Sequence, residues 1–368
     1  MIKKKLLIVG AFPEKRYKVY GGIAKSSEIL INSNSFSKFE ILKLDSTQIS
    51  NPPPGFFIRL IYAIIRYVRF LLIFLKKPKG AVIFCSDGAS ALEKGFMILT
   101  LKLFKVKSFI FPRAGNLITQ VENFKTFRLI IKFLFNQADI FLCQGETWKI
   151  FALTSLNLKS KKIKVISNWS ASEELFEIGN TRNVTIDKRI NILYVGWLEK
   201  EKGIRELLEG FCKCFSENKN LTLTLIGDGN MRPFTENFIK KNKLDNHIFL
   251  TGWLPSKKIN NYLKDSNIFI LPSWKEGMPN ALIEALASGL PAIVTKVGVI
   301  PDYLKNNISA ILIDSKSSLN IEISINKLIN NYNLRQKISN NGMEVARKYF
   351  SSKRTLDKFS KIIEETLN

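Results

Sequence analysis

The chain reads as an α/β protein of about two domains. Three observations predict this. Short apolar runs alternate with helical periodicity along most of the 368 residues, and recurring strand-then-helix order favours a parallel sheet flanked by helices. The length suits two or so cores. A polar stretch at 170–188, poor in apolar pairs, reads as a connection between them.

Lys5 to Gly10 is the first strand, and its apolar run Leu6 to Val9 is too short for a signal peptide. A loop with Gly21-Gly22 precedes a helix from about Ile23 to Asn32, and paired glycines there let backbone approach a ligand or simply turn. Only Gly10 follows the strand, so the dinucleotide fingerprint is missing and an ordinary NAD site is not expected.

Phe56 to Leu75 is apolar apart from Arg59, Arg66 and Arg69, which share roughly 80° of arc at about 100° per residue. Each arginine would cost about 2.5 to 3.5 kcal/mol near the centre of a spanning helix. Two readings remain: a helix lying on a membrane surface, or one packed on the sheet with its arginines outward. Ala81 to Cys85 is the next strand. Phe124 to Phe135 repeats the basic amphipathic pattern with Lys125, Arg128 and Lys132.

Between those helices Phe109 to Phe111 is a strand, leading into Pro112, Arg113, Ala114, Gly115 and Asn116. Ligands bind beyond the carboxyl ends of strands in open α/β sheets, so Arg113 and Asn116 are candidate contacts, with a solvated loop as the alternative. Ile140 to Cys143 and Lys164 to Ile166 complete a first sheet.

The second domain opens with the strand Asn191 to Val195, the loop Gly196 to Gly203 and the helix Ile204 to Phe215. Lys202, beside Gly203 at the helix start, could meet a phosphate as a point charge or lie on the surface. Leu221 to Ile226 ends in the tight turn Gly227-Asp228-Gly229, and Ile248 to Thr251 in Gly252-Trp253-Leu254-Pro255, which could flank a nucleobase. His247, the single histidine, starts a strand rather than following one and is a poor candidate base.

The most informative stretch runs from Ile268 to Thr295: a strand to Leu271, a loop from Pro272 to Pro279, a helix from Asn280 to Ser288, and a strand from Ala292. Asn280 suits an N-cap, Gly289 a left-handed C-terminal position, and Pro291 stops the helix. Early helical amides under the positive end of the dipole suit phosphate. Glu276 and Glu284, with seven residues between them, would repel phosphate and better accept hydrogen bonds from hydroxyls. That combination suggests a sugar nucleotide. A last strand from Ile311, further helices and an amphipathic Ser351 to Leu367 end the chain.

Charge is uneven: residues 1–170 carry 28 Lys+Arg and 9 Asp+Glu, net +19, while residues 171–368 carry 28 and 22, net +6. The first half is suited to face a polyanion, either an acidic membrane surface or nucleic acid. Cys85, Cys143, Cys212 and Cys214 show no metal spacing and read as reduced thiols.

The second half resembles the retaining glycosyltransferases of family 4, the glycosyl transferases group 1. The resemblance rests on Glu276-Gly277-Met278-Pro279-Asn280-Ala281 followed by Glu284, Ala285, Ala287, Gly289 and Pro291, supported by Gly196, Lys202-Gly203, Gly227-Asp228-Gly229, Gly252, Pro272-Ser273 and Gly21-Gly22. It implies a GT-B fold of two Rossmann-like domains with parallel sheets facing across a cleft. The domains would be an acceptor-binding 1–170, a nucleotide-sugar-binding 171–349 and a helix 350–368 crossing back to the first. Carried over by position, Glu284 would hold the ribose hydroxyls and Glu276 those of the transferred sugar. Gly277 to Asn280 would meet sugar and phosphate, Lys202 would neutralise the diphosphate, and Gly22 would close over it.

Two positions depart from the family pattern. Trp197 stands where many members have an arginine, and Arg113 to Asn116 where many carry a histidine. Retention by front-face attack, with the leaving phosphate taking the acceptor proton, needs neither a protein base nor a metal, and no cofactor is expected. The implied partners are a nucleotide sugar, a lipid-linked or oligosaccharide acceptor in polysaccharide or lipopolysaccharide synthesis, and an anionic membrane surface, without nucleic acid. The implied location is cytoplasmic, peripheral at the inner face of the membrane. Two other functions fit the residues less well: a polyanion- or membrane-binding protein with a decayed donor site, and a nucleotide-sugar epimerase.

Overall fold

A computed structural model describes residues 3–12, 21–47, 54–182 and 189–368. The chain folds as two compact units, one of residues 1–169 with 352–368 and the other of residues 170–351. Parts of the loop 11–20 and of the stretch 170–188 lie outside the described residues.

The first unit holds strands β1 (Lys4–Gly10), β2 (Phe39–Asp45), β3 (Gly80–Cys85), β4 (Lys107–Pro112), β5 (Ile140–Cys143) and β6 (Ile163–Val165). They form one parallel sheet in the order β2-β1-β3-β4-β5-β6. Helices α1 (Gly22–Ile31), α2 (Phe56–Ile73), α3 (Gly88–Leu103), α4 (Asn116–Asn123), α5 (Lys125–Asn136) and α6 (Glu146–Thr154) connect them. Alternate residues of the strands, among them Leu6, Ile8, Val82, Phe84, Phe109 and Phe111, form a core with Leu30, Trp169, Phe359 and Ile363. The last two come from the C-terminal helix Ser352–Leu367, whose Phe359 ring sits 5.8 Å from Trp169 and 6.1 Å from Phe111.

Of the three arginines expected to face outward from helix α2, Arg59 and Arg69 are exposed and one departs. Arg66 turns inward, giving Nε and Nη2 to the two carboxylate oxygens of Glu93 at 2.5 and 2.9 Å, while Tyr67 meets Thr100 Oγ1 at 2.5 Å and Phe70 is buried. Outward instead point Phe57, Ile58, Leu60, Ile61, Ile64, Ile65, Val68, Leu71 and Leu72. An amphipathic pattern gives the helix two unlike faces without saying which is inside, and here the carboxylate of α3 decides. Among the described residues no helix is long and apolar enough to cross a membrane.

The second unit repeats the plan with β7 (Ile190–Val195), β8 (Leu221–Ile226), β9 (Ile248–Gly252), β10 (Ile268–Leu271), β11 (Ala292–Thr295) and β12 (Ile311–Ile313). This sheet is also parallel, ordered β12-β11-β10-β7-β8-β9. Its helices include α7 (Glu173–Asn180), α8 (Ile204–Glu217), α9 (Arg232–Lys241), α10 (Ser256–Asp265) and α11 (Asn280–Ala287). The expected polar connection therefore contains a helix: Ser172 caps α7 by accepting from the Leu175 amide, and Leu175 and Phe176 are buried. Its three apolar residues, Leu175, Phe176 and Ile178, are too weak a signal in so polar a stretch.

Candidate functional site

The second sheet grows outward from β7 in both directions, so the chain reverses its course between β7 and β10. Such a switch point leaves a crevice at the strands' carboxyl ends, where the two following loops part. The loops here are those of Gly196 to Gly203 and Pro272 to Pro279. They are tied together, the Trp274 amide donating to the Glu201 carbonyl at 2.7 Å.

Two glycines make the fit possible. Gly203 takes a left-handed φ of +71°, and a Cβ there would come within 2.3 Å of the Pro272 carbonyl oxygen. Gly298, with φ +59°, lies after β11, and a Cβ on it would come within 2.2 Å of the Glu276 carbonyl oxygen. No other residue type tolerates both the dihedral and the approach.

At the crevice Lys202 Nζ donates to Glu276 Oε1 at 2.6 Å, the side chains being 26% and 10% exposed. Lys202 is thus half-buried and paired rather than extended into solvent. Beneath it lies Tyr194, whose hydroxyl donates to the Trp197 carbonyl at 2.6 Å. Burial, and then the charges of Glu276 and Glu199, push its phenol well above the ordinary tyrosine range.

Helix α11 starts at this crevice. Its N-cap is Pro279 rather than Asn280, which is the first helical residue, and no side chain caps it. Proline at the cap removes one donor, and Asn280 moves inside and is buried. The first intrahelical bond runs from the Ile283 amide to the Pro279 carbonyl at 3.3 Å, so the Asn280, Ala281 and Leu282 amides lie ahead of it. Gly277 and Met278 are buried in the approach and Glu284 is buried in the second turn. Gly289 takes the left-handed φ, +69°, expected after the helix.

The remaining loops border this centre. Gly196 donates to the Ile226 carbonyl and Gly227 to that of Gly252, each at 3.0 Å, joining the ends of β7, β8 and β9. Asp228 is held by Arg232 at 3.3 Å. Trp197 and Trp253 meet edge to face, centroids 4.7 Å apart, and Leu254 is half-buried beside them in sequence. His247 is away from this chemistry: its Nδ1 faces the Leu221 carbonyl at 3.2 Å and its ring packs on Phe215.

In the first unit the solvated-loop alternative for Arg113 fails. Its guanidinium lies over Phe111, Trp169 and Phe84 at 4.8, 4.9 and 5.7 Å and gives Nη2 to Ser26 Oγ at 2.9 Å. Nη1 is shielded from solvent and meets no acceptor among the described residues. Burial pushes the group down to about 9. Asn116 donates to Asp87 Oδ2 at 2.5 Å, while Gly22 opens α1. A cavity of about 480 Å³ lies nearby, lined by Gly88, Gln120, Phe124 and Lys125 among others.

Sequence reasoning missed Gly298 and Tyr194. A glycine three residues past a strand was a usable signal for the first. Tyr194 looks like any strand residue until its hydroxyl is seen under the loop. Among the described residues no cluster of three or more His, Cys, Asp or Glu could hold a metal ion.

Residues 179–345 match the family model of glycosyl transferases group 1. That match spans the whole crevice just described. The capsular polysaccharide biosynthesis glycosyltransferase CapM of Staphylococcus aureus is 28% identical over 253 residues, 63% of this chain and 64% of its own. The chain thus spans less than two thirds of CapM, and about half the length of another curated relative. Among solved structures, sucrose-phosphate synthase of Thermosynechococcus elongatus has a TM-score of 0.77 at 15% identity, over 99% of each chain. Anabaena HepE in complex with UDP-glucose has a TM-score of 0.70 at 12% identity, over 98% of this chain and 99% of its own. The shared fold is GT-B, with two Rossmann-like units, each built on a six-stranded parallel sheet in this chain.

Proposed function

We propose that this protein transfers a sugar, with retention of anomeric configuration, from a nucleotide-diphosphate-sugar to a glycan acceptor. One observation carries the reading: Lys202 and Glu276, 74 residues apart in sequence, meet at 2.6 Å where the sheet order reverses. A cation beside the start of α11 suits a diphosphate, and the adjoining carboxylate suits sugar hydroxyls. The donor is bound by Gly277 to Ala281 at the helix start, with Glu284 on the ribose and Trp253 and Leu254 beside the base. Lys202 and the α11 amides stabilise the charge that grows on the leaving phosphate. That phosphate accepts the acceptor's proton, so the step calls on no metal.

HepE, of the same fold, was solved with UDP-glucose, and CapM is named for capsular polysaccharide biosynthesis. We extend the reading to a lipid-linked polysaccharide or lipopolysaccharide intermediate as acceptor, reached at the inner face of an anionic membrane. Arg113 and Asn116 are its acceptor-side candidates. The decayed-site reading draws only on Trp197, whereas the pairing of Lys202 with Glu276 supports a working site.

The test is calorimetry with a panel of nucleotide sugars, followed by mass detection of the transferred sugar. Binding of at least one donor, lost in Lys202→Ala, is expected. No binding by the native chain to any donor would overturn the proposal, and donor turnover without an acceptor would favour an epimerase.

A further inference from the structure

Helix α2 carries its apolar residues on the outside. Phe57 is 78% exposed and Leu72 58%, and nine aliphatic or aromatic side chains from Phe57 to Leu72 face solvent besides Tyr62, spanning roughly 160° of arc at about 100° per residue. The surface extends beyond α2. Phe96, Leu103 and Phe104 of the α3 region are exposed, as are Phe124, Leu129, Ile130 and Phe133 along α5. These helices are packed together. Phe74, just past α2, meets Phe104 at 4.9 Å, and Gly95 of α3 lies so near Leu134 of α5 that a Cβ would come within 2.6 Å of it. Soluble monomers seldom expose so large a contiguous apolar patch without a partner for it.

Charge identifies the partner. Neither α2 nor α5 contains an acidic residue, and Glu93 of α3 is already paired with Arg66 and Lys94. Exposed Arg59, Arg69, Lys76, Lys77, Lys102, Lys105 and Lys125 accompany the apolar side chains. Pairing this face with a second copy would set that basic rim against itself. An anionic bilayer accepts both features, headgroups meeting the lysines and arginines while the apolar side chains enter the acyl boundary.

We infer that the outward apolar arc of α2, with the adjoining side chains of α3 and α5, inserts into the interface of an anionic lipid membrane. This differs from binding by basic residues alone, because the side chains that enter are Ile61, Ile65, Leu72 and their neighbours. The cavity by Phe124 and Lys125 opens next to the same surface, where a lipid-borne headgroup would be presented. The inference stands on unit 1 alone, so its failure would leave the donor-site reading intact.

The experiment is co-sedimentation of the full chain with phosphatidylcholine vesicles, with and without phosphatidylglycerol, at low and high salt. Native protein is expected to pellet with the anionic vesicles and to keep part of that binding at high salt, since apolar insertion is not screened. The triple variant Ile61→Asn, Ile65→Asn, Leu72→Asn should bind at least about tenfold more weakly, with unchanged circular dichroism. Ile308→Asn, at an exposed apolar residue of the second unit, should bind as the native chain does. Native protein left in the supernatant, or a triple variant that pellets equally well, overturns the inference. So does a lipid-free dimer that the triple substitution dissociates, which would assign the face to a second copy.

Discussion

Lys202 Nζ and Glu276 Oε1 lie 2.6 Å apart, joining the loop after β7 to the loop after β10. The lysine, in the proposed reaction, serves a diphosphate and the glutamate serves sugar hydroxyls. Each therefore holds the other in place until a donor separates them. Such a pair, about a quarter exposed at the lysine, adds little to stability.

We predict that Lys202→Ala and Glu276→Gln each lower kcat/KM for sugar transfer by about 10²- to 10³-fold, with thermal midpoints close to native. Steady-state transfer assays beside thermal melts check this. Turnover retained in both variants would refute the assigned roles.

The glycines that let the loops interlock should be intolerant of a methyl group. Gly203→Ala and Gly298→Ala each add a strained left-handed residue and a backbone collision, costing about 1 to 3 kcal/mol. Gly55→Ala, where nothing lies within 4 Å of the new Cβ, should be neutral. Urea unfolding of the three variants compares them directly.

Arg113 poses the opposite case. Its guanidinium is shielded from solvent with ring faces and one hydroxyl as partners and, among the described residues, no carboxylate. A desolvated cation–π contact returns about 2 kcal/mol or more, against the several kcal/mol that taking a charge out of water costs. Arg113→Met should then leave the first unit as stable or up to about 2 kcal/mol more stable, while sugar transfer falls. A destabilised variant with full activity would show that the arginine serves the fold alone.

The anchor of α2 depends on pH. Burial would raise the Glu93 carboxyl, but Arg66 and Lys94 outweigh it and hold the group below the usual carboxylate range. A depressed carboxyl stabilises the fold above its unfolded pKa of about 4.3, and that stability is lost as pH falls through the lower folded value. Glu93→Ala should cost about 3 kcal/mol at neutral pH and flatten the acid limb of a stability-versus-pH curve from denaturant titrations.

Much of this was legible in the chain. The apolar runs at Leu6, Val82, Phe109, Leu193, Leu223 and Ile293 each gave a strand, because strands buried on both faces need no partner to be recognised. The edge strand β2 escaped notice, since Phe39–Asp45 intersperses Glu40, Lys43 and Asp45 among its apolar residues. Helix α3 was overlooked too, with Gly95 inside it to admit Leu134 from α5. At the site, the residue types around Glu276 pointed to a sugar nucleotide. Their pairing did not: Lys202 to Glu276 spans 74 residues and Arg66 to Glu93 spans 27, and no local pattern encodes such partners. The inverted face of α2 follows from the second of these.

The first unit is assembled from both ends of the sequence. Phe359 and Ile363 complete its core, and Leu367 lies against Gly80. During synthesis on a ribosome, the earliest residues made must therefore wait, with Phe111 and Trp169 incompletely covered, until 352–368 emerge. The second unit, continuous from 170 to 351, has its whole sequence available before the first unit does.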